Sequence, residues 1–181
     1  FMLRIWNLAI LDPYTDEYAH LLAAKQYLET GSFDYIRANL VTYMVAFSYW
    51  LGSASSFHEY VFWGRVPGVI FGALTVIPLY FLAKKISKPI GIITALLWAT
   101  SPWAIGVAKS IREYAFYPLI ILTALLLTII LIQHILHYTK RNKWKIISLS
   151  VVIVSFFFYA LFIDKSSTLK IGALIIFSAV T

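Results

Sequence analysis

The chain contains no cysteine and little charge, with eight acidic residues among 181 and 13% charged residues in all. Without cysteine there is no disulfide, no thiol nucleophile and no cysteine-based zinc spacing, although this absence does not mark a compartment. Soluble domains carry about 25% charged residues. Roughly half that proportion, beside 61% hydrophobic residues and a mean hydropathy of +0.80, places the chain among membrane proteins. A phosphate-binding Gly-rich loop, Gly-x-Ser-x-Gly and His-Glu-x-x-His are also missing, which sets aside the chemistries those motifs serve. No basic run is interleaved with aromatics in the manner of a nucleic-acid groove. The net charge of +7 therefore bears on membrane orientation and anionic headgroups, not on nucleic acid. No apolar run has an acid or base at its centre, which argues against a proton-driven transporter.

What is present is a series of apolar runs. A spanning helix needs about 20 mostly apolar residues, and 66–83, 89–108, 114–139 and 146–163 qualify, with a partial helix at each end: one exiting at Phe1–Trp6 and another starting at Ile171. Arg65 and Lys84-Lys85 flank the first run, and Pro102 falls late in the second. No internal repeat or low-complexity linker interrupts them. The expectation is an all-α, polytopic transmembrane helical bundle, one domain over 1–181, forming the N-terminal part of a longer protein. Residues 12–64 would be a first external loop with juxtamembrane amphipathic helices.

Within that loop, Thr15 is a fair N-cap, Asp16 and Glu17 sit in a first helical turn where the dipole favours anions, and Gly31 ends the helix. Tyr18, Leu21, Leu22 and Leu28 build its apolar face. Segment 38–57 has no formal charge but is rich in Ser, Thr and Asn, with Tyr43, Phe47 and Trp50 at helical spacing. It reads as a helix lying in the interface, aromatic side down. If it lies flat, Lys84, Lys85 and Lys88 share a side with Lys140, Arg141, Lys143 and Lys145, which the positive-inside tendency makes cytoplasmic. Asp16-Glu17, the 109–113 loop and Asp164-Lys165 are then extracytoplasmic. If it spans, Asp16-Glu17 is separated from Arg112-Glu113. The flat reading is favoured.

The candidate chemistry lies at these boundaries, where acids are costly and function is the first hypothesis. Asp16 and Glu17 diverge by about 100° on a helix, so one could act as base or metal ligand while the other orients a partner. Helix capping by acids is the alternative. Arg112 offers a planar fork for phosphate oxygens, with Lys109 at i−3 on the same helical face. An interfacial snorkelling pair, Arg112 with Glu113 or Asp16, is its alternative. Arg65 could reach back into the same cavity. Gly68 and Gly72 form a small-xxx-small packing face. His134 and His137 read as interfacial residues, and His20 and His58 have no recognisable spacing.

In order, Asp16-Glu17-Tyr18-Ala19, Arg65-Val66-Pro67-Gly68-Val69-Ile70-Phe71-Gly72-Ala73-Leu74, Tyr80-Phe81-Leu82-Ala83-Lys84-Lys85, Ala99-Thr100-Ser101-Pro102 and Arg112-Glu113-Tyr114 resemble the GT-C membrane glycosyltransferases. The likeness is to the protein O-mannosyltransferase and lipid A aminoarabinose transferase branch, over residues 3–130. The resemblance implies transfer of a sugar from a polyprenyl-phosphate donor to a protein, lipid or glycan acceptor on the extracytoplasmic face, in a prokaryotic plasma membrane. Asp16 would be the catalytic base, supported by Glu17, with Arg65, Lys109 and Arg112 on the donor phosphate. Glu113 stands where relatives commonly have Asp, with an acceptor or metal role. A divalent metal, if used, would fall to Asp16 and Glu113, and no nucleotide is needed. Arg37-Ala38-Asn39-Leu40 departs from the His-Pro-Pro or Lys-Pro stretch of many relatives. The rival readings are a polytopic transporter or flippase, which would have ionisable groups within its spans, and a non-catalytic binder of lipid-linked sugar.

Overall fold

A computed structural model of the chain describes residues 1–34, 39–136, 147, 148, 150 and 151. Among these the regular structure is helical, with no strand. The basic loop from Lys140 to Lys145, Arg37-Ala38, most of 146–163, Asp164-Lys165, the run from Ile171 and His137 lie outside the described residues.

A short α1 (Met2–Ile5) precedes α2 (Thr15–Thr30). Tyr14, not Thr15, takes the cap position of α2. The Glu17 carboxylate reaches back to the Tyr14 N–H at 3.0 Å, so a threonine hydroxyl is not needed there. Gly31 closes the helix at φ 75°, its N–H on the Tyr27 carbonyl, a left-handed conformation that favours glycine. The buried face of α2 is Glu17, His20, Leu21, Ala23 and Ala24. Tyr18, Leu22 and Leu28, expected on that face, are exposed. The small Ala23 and Ala24 and the polar Glu17 and His20 turn inward because α3 and α4 pack there and supply polar partners.

Helix α3 (Asn39–Gly52) has 14 residues, about 21 Å of rise, short of the roughly 30 Å apolar core of a bilayer. Val41, Val45, Ala46 and Tyr49 are buried, while Tyr43, Phe47 and Trp50 are exposed, the aromatic stripe expected of an interfacial helix.

Helix α4 (Phe57–Leu74) starts on a capping box in which Glu59 accepts the Ser55 and Ser56 N–H groups at 2.8 and 2.9 Å. It runs through Thr75 into α5 (Val76–Lys84), giving one apolar stretch, Phe57–Lys84. The span thus opens at Phe57 and not at Val66. Arg65 lies inside it, since its charge is neutralised within the bundle and does not need the boundary. Pro67, inside α4, offers no N–H to the Trp63 carbonyl four residues back. The Ser48 hydroxyl of α3 donates to that carbonyl instead, at 2.7 Å.

The expected span 89–108 is two helices, α6 (Lys88–Thr100) and α7 (Pro102–Ala108), bent by 57°. Pro102 biases Ser101 out of the helical region, and it removes the donor for the Trp98 carbonyl. Arg4 fills the gap: it is 1% exposed and donates to the Trp98 and Ala99 carbonyls, each at 3.0 Å. A 3-10 turn (Glu113–Ala115) leads into α8 (Tyr117–Leu136). Phe57–Lys84 and Glu113–Gln133 are long and apolar enough to cross a membrane, and the bent pair makes a third if it is one span.

Helix α4 packs against α1, α2, α3, α5, α7 and α8, its Gly72 carbonyl accepts the Trp98 indole N–H of α6 at 3.2 Å, and its glycines explain how closely its neighbours approach. A Cβ at Gly68 would lie 2.8 Å from the Ala108 carbonyl oxygen, and one at Gly72 would lie 2.6 Å from the Ala108 side chain. The small-xxx-small face therefore receives α7 and delivers residues 109–113 to the start of α2.

Candidate functional site

Three segments converge on Glu17, which is 1% exposed. Its Oε2 accepts from Arg65 Nη2 and from the Tyr14 N–H, both at 3.0 Å. Its Oε1 accepts the Ile111 N–H at 2.6 Å. Arg65, 4% exposed, spends its other terminal nitrogen on the Leu8 and Leu11 carbonyls at 2.7 and 2.9 Å. A buried charge is tolerated only when paired and hydrogen-bonded, and this pair meets both conditions. Glu17 and Arg65 thus form a frame joining the loop before α2, the middle of α4 and the loop after α7.

Asp16, about 100° round the helix from Glu17, turns outward. It forms an ion pair with Arg112, the two side chains being 58% and 27% exposed. The Arg112 guanidinium also lies 5.1 Å from the Tyr114 ring centroid. Burial draws the Arg112 pKa down, but the hydrogen bonds to Tyr114 and Asp16 and the charges of Asp16 and Glu113 outweigh it and raise the pKa. Asp16 and Arg112 therefore lie at one end of the described helices.

Lys109 and Arg112 do not share a helical face. Lys109 ends α7, and its ammonium donates to the Trp6 carbonyl at 2.7 Å. The helix stops because the Ile111 N–H goes to Glu17, while the Val107 carbonyl that would have received it takes the Ser110 N–H and hydroxyl. Glu113 opens the 3-10 turn beside Arg112. Among the described residues no three His, Asp or Glu side chains gather as a metal ligand set.

His20 is the site residue that sequence spacing did not single out. It lies one turn beyond Asp16 on α2, is 2% exposed, and its Nδ1 is 3.0 Å from the Thr42 hydroxyl. Burial first, then the Arg112 charge, lowers its pKa to about 4 against the opposing pull of Asp16 and Glu17. The signal was the i, i+4 relation to Asp16.

Chemically, this is an exposed carboxylate and a guanidinium held together on a buried, charge-neutral base at the end of apolar helices. No protein-family model, curated protein or solved structure matches the chain.

Proposed function

We propose that the chain belongs to an integral membrane glycosyltransferase of the GT-C type, which moves a sugar from a polyprenyl-phosphate donor to a hydroxyl of a protein, lipid or glycan on the extracytoplasmic face of a plasma membrane. The observation that carries this reading is the Asp16–Arg112 pair, joined across 96 residues of sequence yet open to solvent.

In the proposed step the acceptor hydroxyl loses its proton to Asp16 as its oxygen bonds to the anomeric carbon. The bond from that carbon to the phosphate oxygen breaks, and its electron pair leaves with the lipid phosphate. Arg112 stabilises the charge developing on the phosphate. In this reading the buried Glu17–Arg65 pair positions both groups, Glu17 supporting Asp16 as expected and Arg65 acting through that pair in place of a direct contact with the donor phosphate. Lys109 holds the Trp6 carbonyl with one N–H and keeps two further donors for the leaving phosphate. No step passes through a metal.

Because Arg112 already occupies Asp16, a second reading is a non-catalytic binder of lipid-linked sugar, in which the pair recognises the headgroup. Turnover separates the two. Full-length protein in membranes would be given polyprenyl-phosphate mannose or aminoarabinose carrying a radiolabel. The transferase reading expects Asp16→Asn to lower transfer by roughly 10²–10⁴-fold with unchanged thermal unfolding. Transfer near the wild-type rate in Asp16→Asn would end the base assignment. Stable retention of the labelled lipid without turnover by the wild type would favour the binder.

A further inference from the structure

The opposite end of the bundle has its own chemistry. Lys84 lies about 28 Å along the α4–α5 stretch from Arg65, close to the thickness of a bilayer's apolar core. Here α5 and α8 leave an open groove of about 490 Å³, lined by Phe81, Lys84, Lys85, Leu126 and Ile130. Its walls are apolar and its rim is cationic. The Lys84 ammonium sits 5.6 and 5.9 Å from the Tyr80 and Phe81 ring centroids. The Lys85 ammonium donates to Gln133 Oε1 of α8 at 2.9 Å, which ties the two helices at the groove mouth and uses one of its three N–H donors. Just past the rim, Ile86 is 77% exposed and Lys88 follows in the first turn of α6.

Every acid among the described residues precedes Arg65 or is Glu113, so none stands beside these three lysines in sequence or at this end of α5 and α8. An apolar trough with a positive mouth, at bilayer spacing from the Asp16–Arg112 end, suits an amphiphile whose negative group sits at the membrane surface and whose chain lies along the helices. A soluble anion would use the rim but not the Phe81, Leu126 and Ile130 walls. A neutral lipid would use the walls but not the rim.

We propose that this groove is a binding site for an anionic phospholipid, with Lys84 and Lys85 on the phosphate headgroup and Phe81, Leu126 and Ile130 along the first part of an acyl chain. The site is independent of glycosyl transfer, and it holds or fails whatever the Asp16–Arg112 pair does.

The test uses full-length protein in phosphatidylcholine nanodiscs containing a minority of spin-labelled phosphatidylglycerol or, separately, spin-labelled phosphatidylcholine. The immobilised fraction of each label is the readout. One basic residue near an anionic surface gives roughly a fivefold preference, so the wild type is expected to hold phosphatidylglycerol over phosphatidylcholine by at least that factor. The Lys84→Gln/Lys85→Gln variant should fall to near parity, and Lys84→Arg/Lys85→Arg should retain the preference. Leu126→Trp, which fills the trough while sparing both lysines, should also release the label. Equal immobilisation of the two lipids by the wild type overturns the proposal. So does a preference that survives the double Gln change, or one that excess inorganic phosphate abolishes while Leu126→Trp leaves it intact.

Discussion

Glu17 Oε1 accepts the Ile111 N–H at 2.6 Å, and this buried contact sets the next residue on each strand of chain, Asp16 and Arg112, against one another. Adjacent carboxylates thus have opposite surroundings. One is a structural anchor and the other is the exposed half of an ion pair.

Substitutions should separate them. Glu17→Gln strands the Arg65 charge in the bundle, and breaking a buried pair from one side costs about 3–5 kcal/mol. Asp16→Asn removes a largely exposed pair worth about 0–1 kcal/mol. Thermal unfolding of the full-length protein in detergent is expected to fall sharply for the first and barely for the second. Glu17→Gln combined with Arg65→Met should recover part of the loss, with a coupling above about 1 kcal/mol. Additive losses would mean that Arg65 is not held by Glu17.

Arg4 substitutes for a missing backbone donor, so its removal should act through carbonyls. Arg4→Met leaves the part-buried Trp98 and Ala99 oxygens without the guanidinium, at up to about 1–3 kcal/mol for each unsatisfied group. Pro102→Ala in the same chain restores an N–H four residues beyond Trp98. It is expected to return part of the lost stability in the Arg4→Met background and to add nothing in the wild type. Unchanged unfolding of Arg4→Met would refute this role.

The buried imidazole predicts a pH signature. With its folded pKa lowered to about 4 by burial against an ordinary value near 6.5, His20 binds its proton more weakly in the folded state. Its contribution is fully present above pH 6.5 and is lost as pH falls from about 6.5 to about 4, a change on the order of 3 kcal/mol. His20→Gln, which can still meet Thr42, should flatten the fall of the unfolding temperature over that window. An identical slope in the variant would show that another group titrates there.

How much of this was legible follows the range of the interactions. Local features came through: the helix beginning at Tyr14–Thr15, its stop at Gly31, the exposed Tyr43–Phe47–Trp50 stripe and the Gly68–Gly72 packing face all depend on neighbours within a few turns. The position of Arg65 did not. A charge beside an apolar run reads as a boundary, and only the carboxylate of Glu17, 48 residues earlier, lets the helix continue past it. The inward face of α2 was misread for the same reason, since Glu17 and His20 count as polar until Arg65 and Thr42 are known to meet them. Pro102 was visible in the second run, but the 57° bend needs Arg4 to stabilise the opened carbonyls, and nothing local announces Arg4. The pairing of Arg112 with Asp16 was one of two partnerships open to it, Glu113 being the other, and the Glu17–Ile111 contact lies beneath it.

Sidedness is directly measurable because the chain has no cysteine of its own. Single cysteines at Ser32, Ser110 and Ile86 would be exposed to a membrane-impermeant thiol reagent in intact cells. Labelling at Ser32 and Ser110 but not at Ile86 is expected for an extracytoplasmic Asp16–Arg112 end. Labelling at Ile86 alone would invert the orientation, and labelling of only one of Ser32 and Ser110 would contradict their shared end.

The frame around Glu17 also imposes an order on biosynthesis. A chain emerging from the ribosome delivers Glu17 long before Arg65 and longer still before Ile111, so Oε2 can find its partners first while Oε1 waits until the bent α6–α7 pair has been laid down. Closing the frame is thus a late event that reports completed insertion of everything between. A chain stalled short of residue 111 could pair Glu17 Oε2 with Tyr14 and Arg65 but would leave Oε1 without its backbone donor.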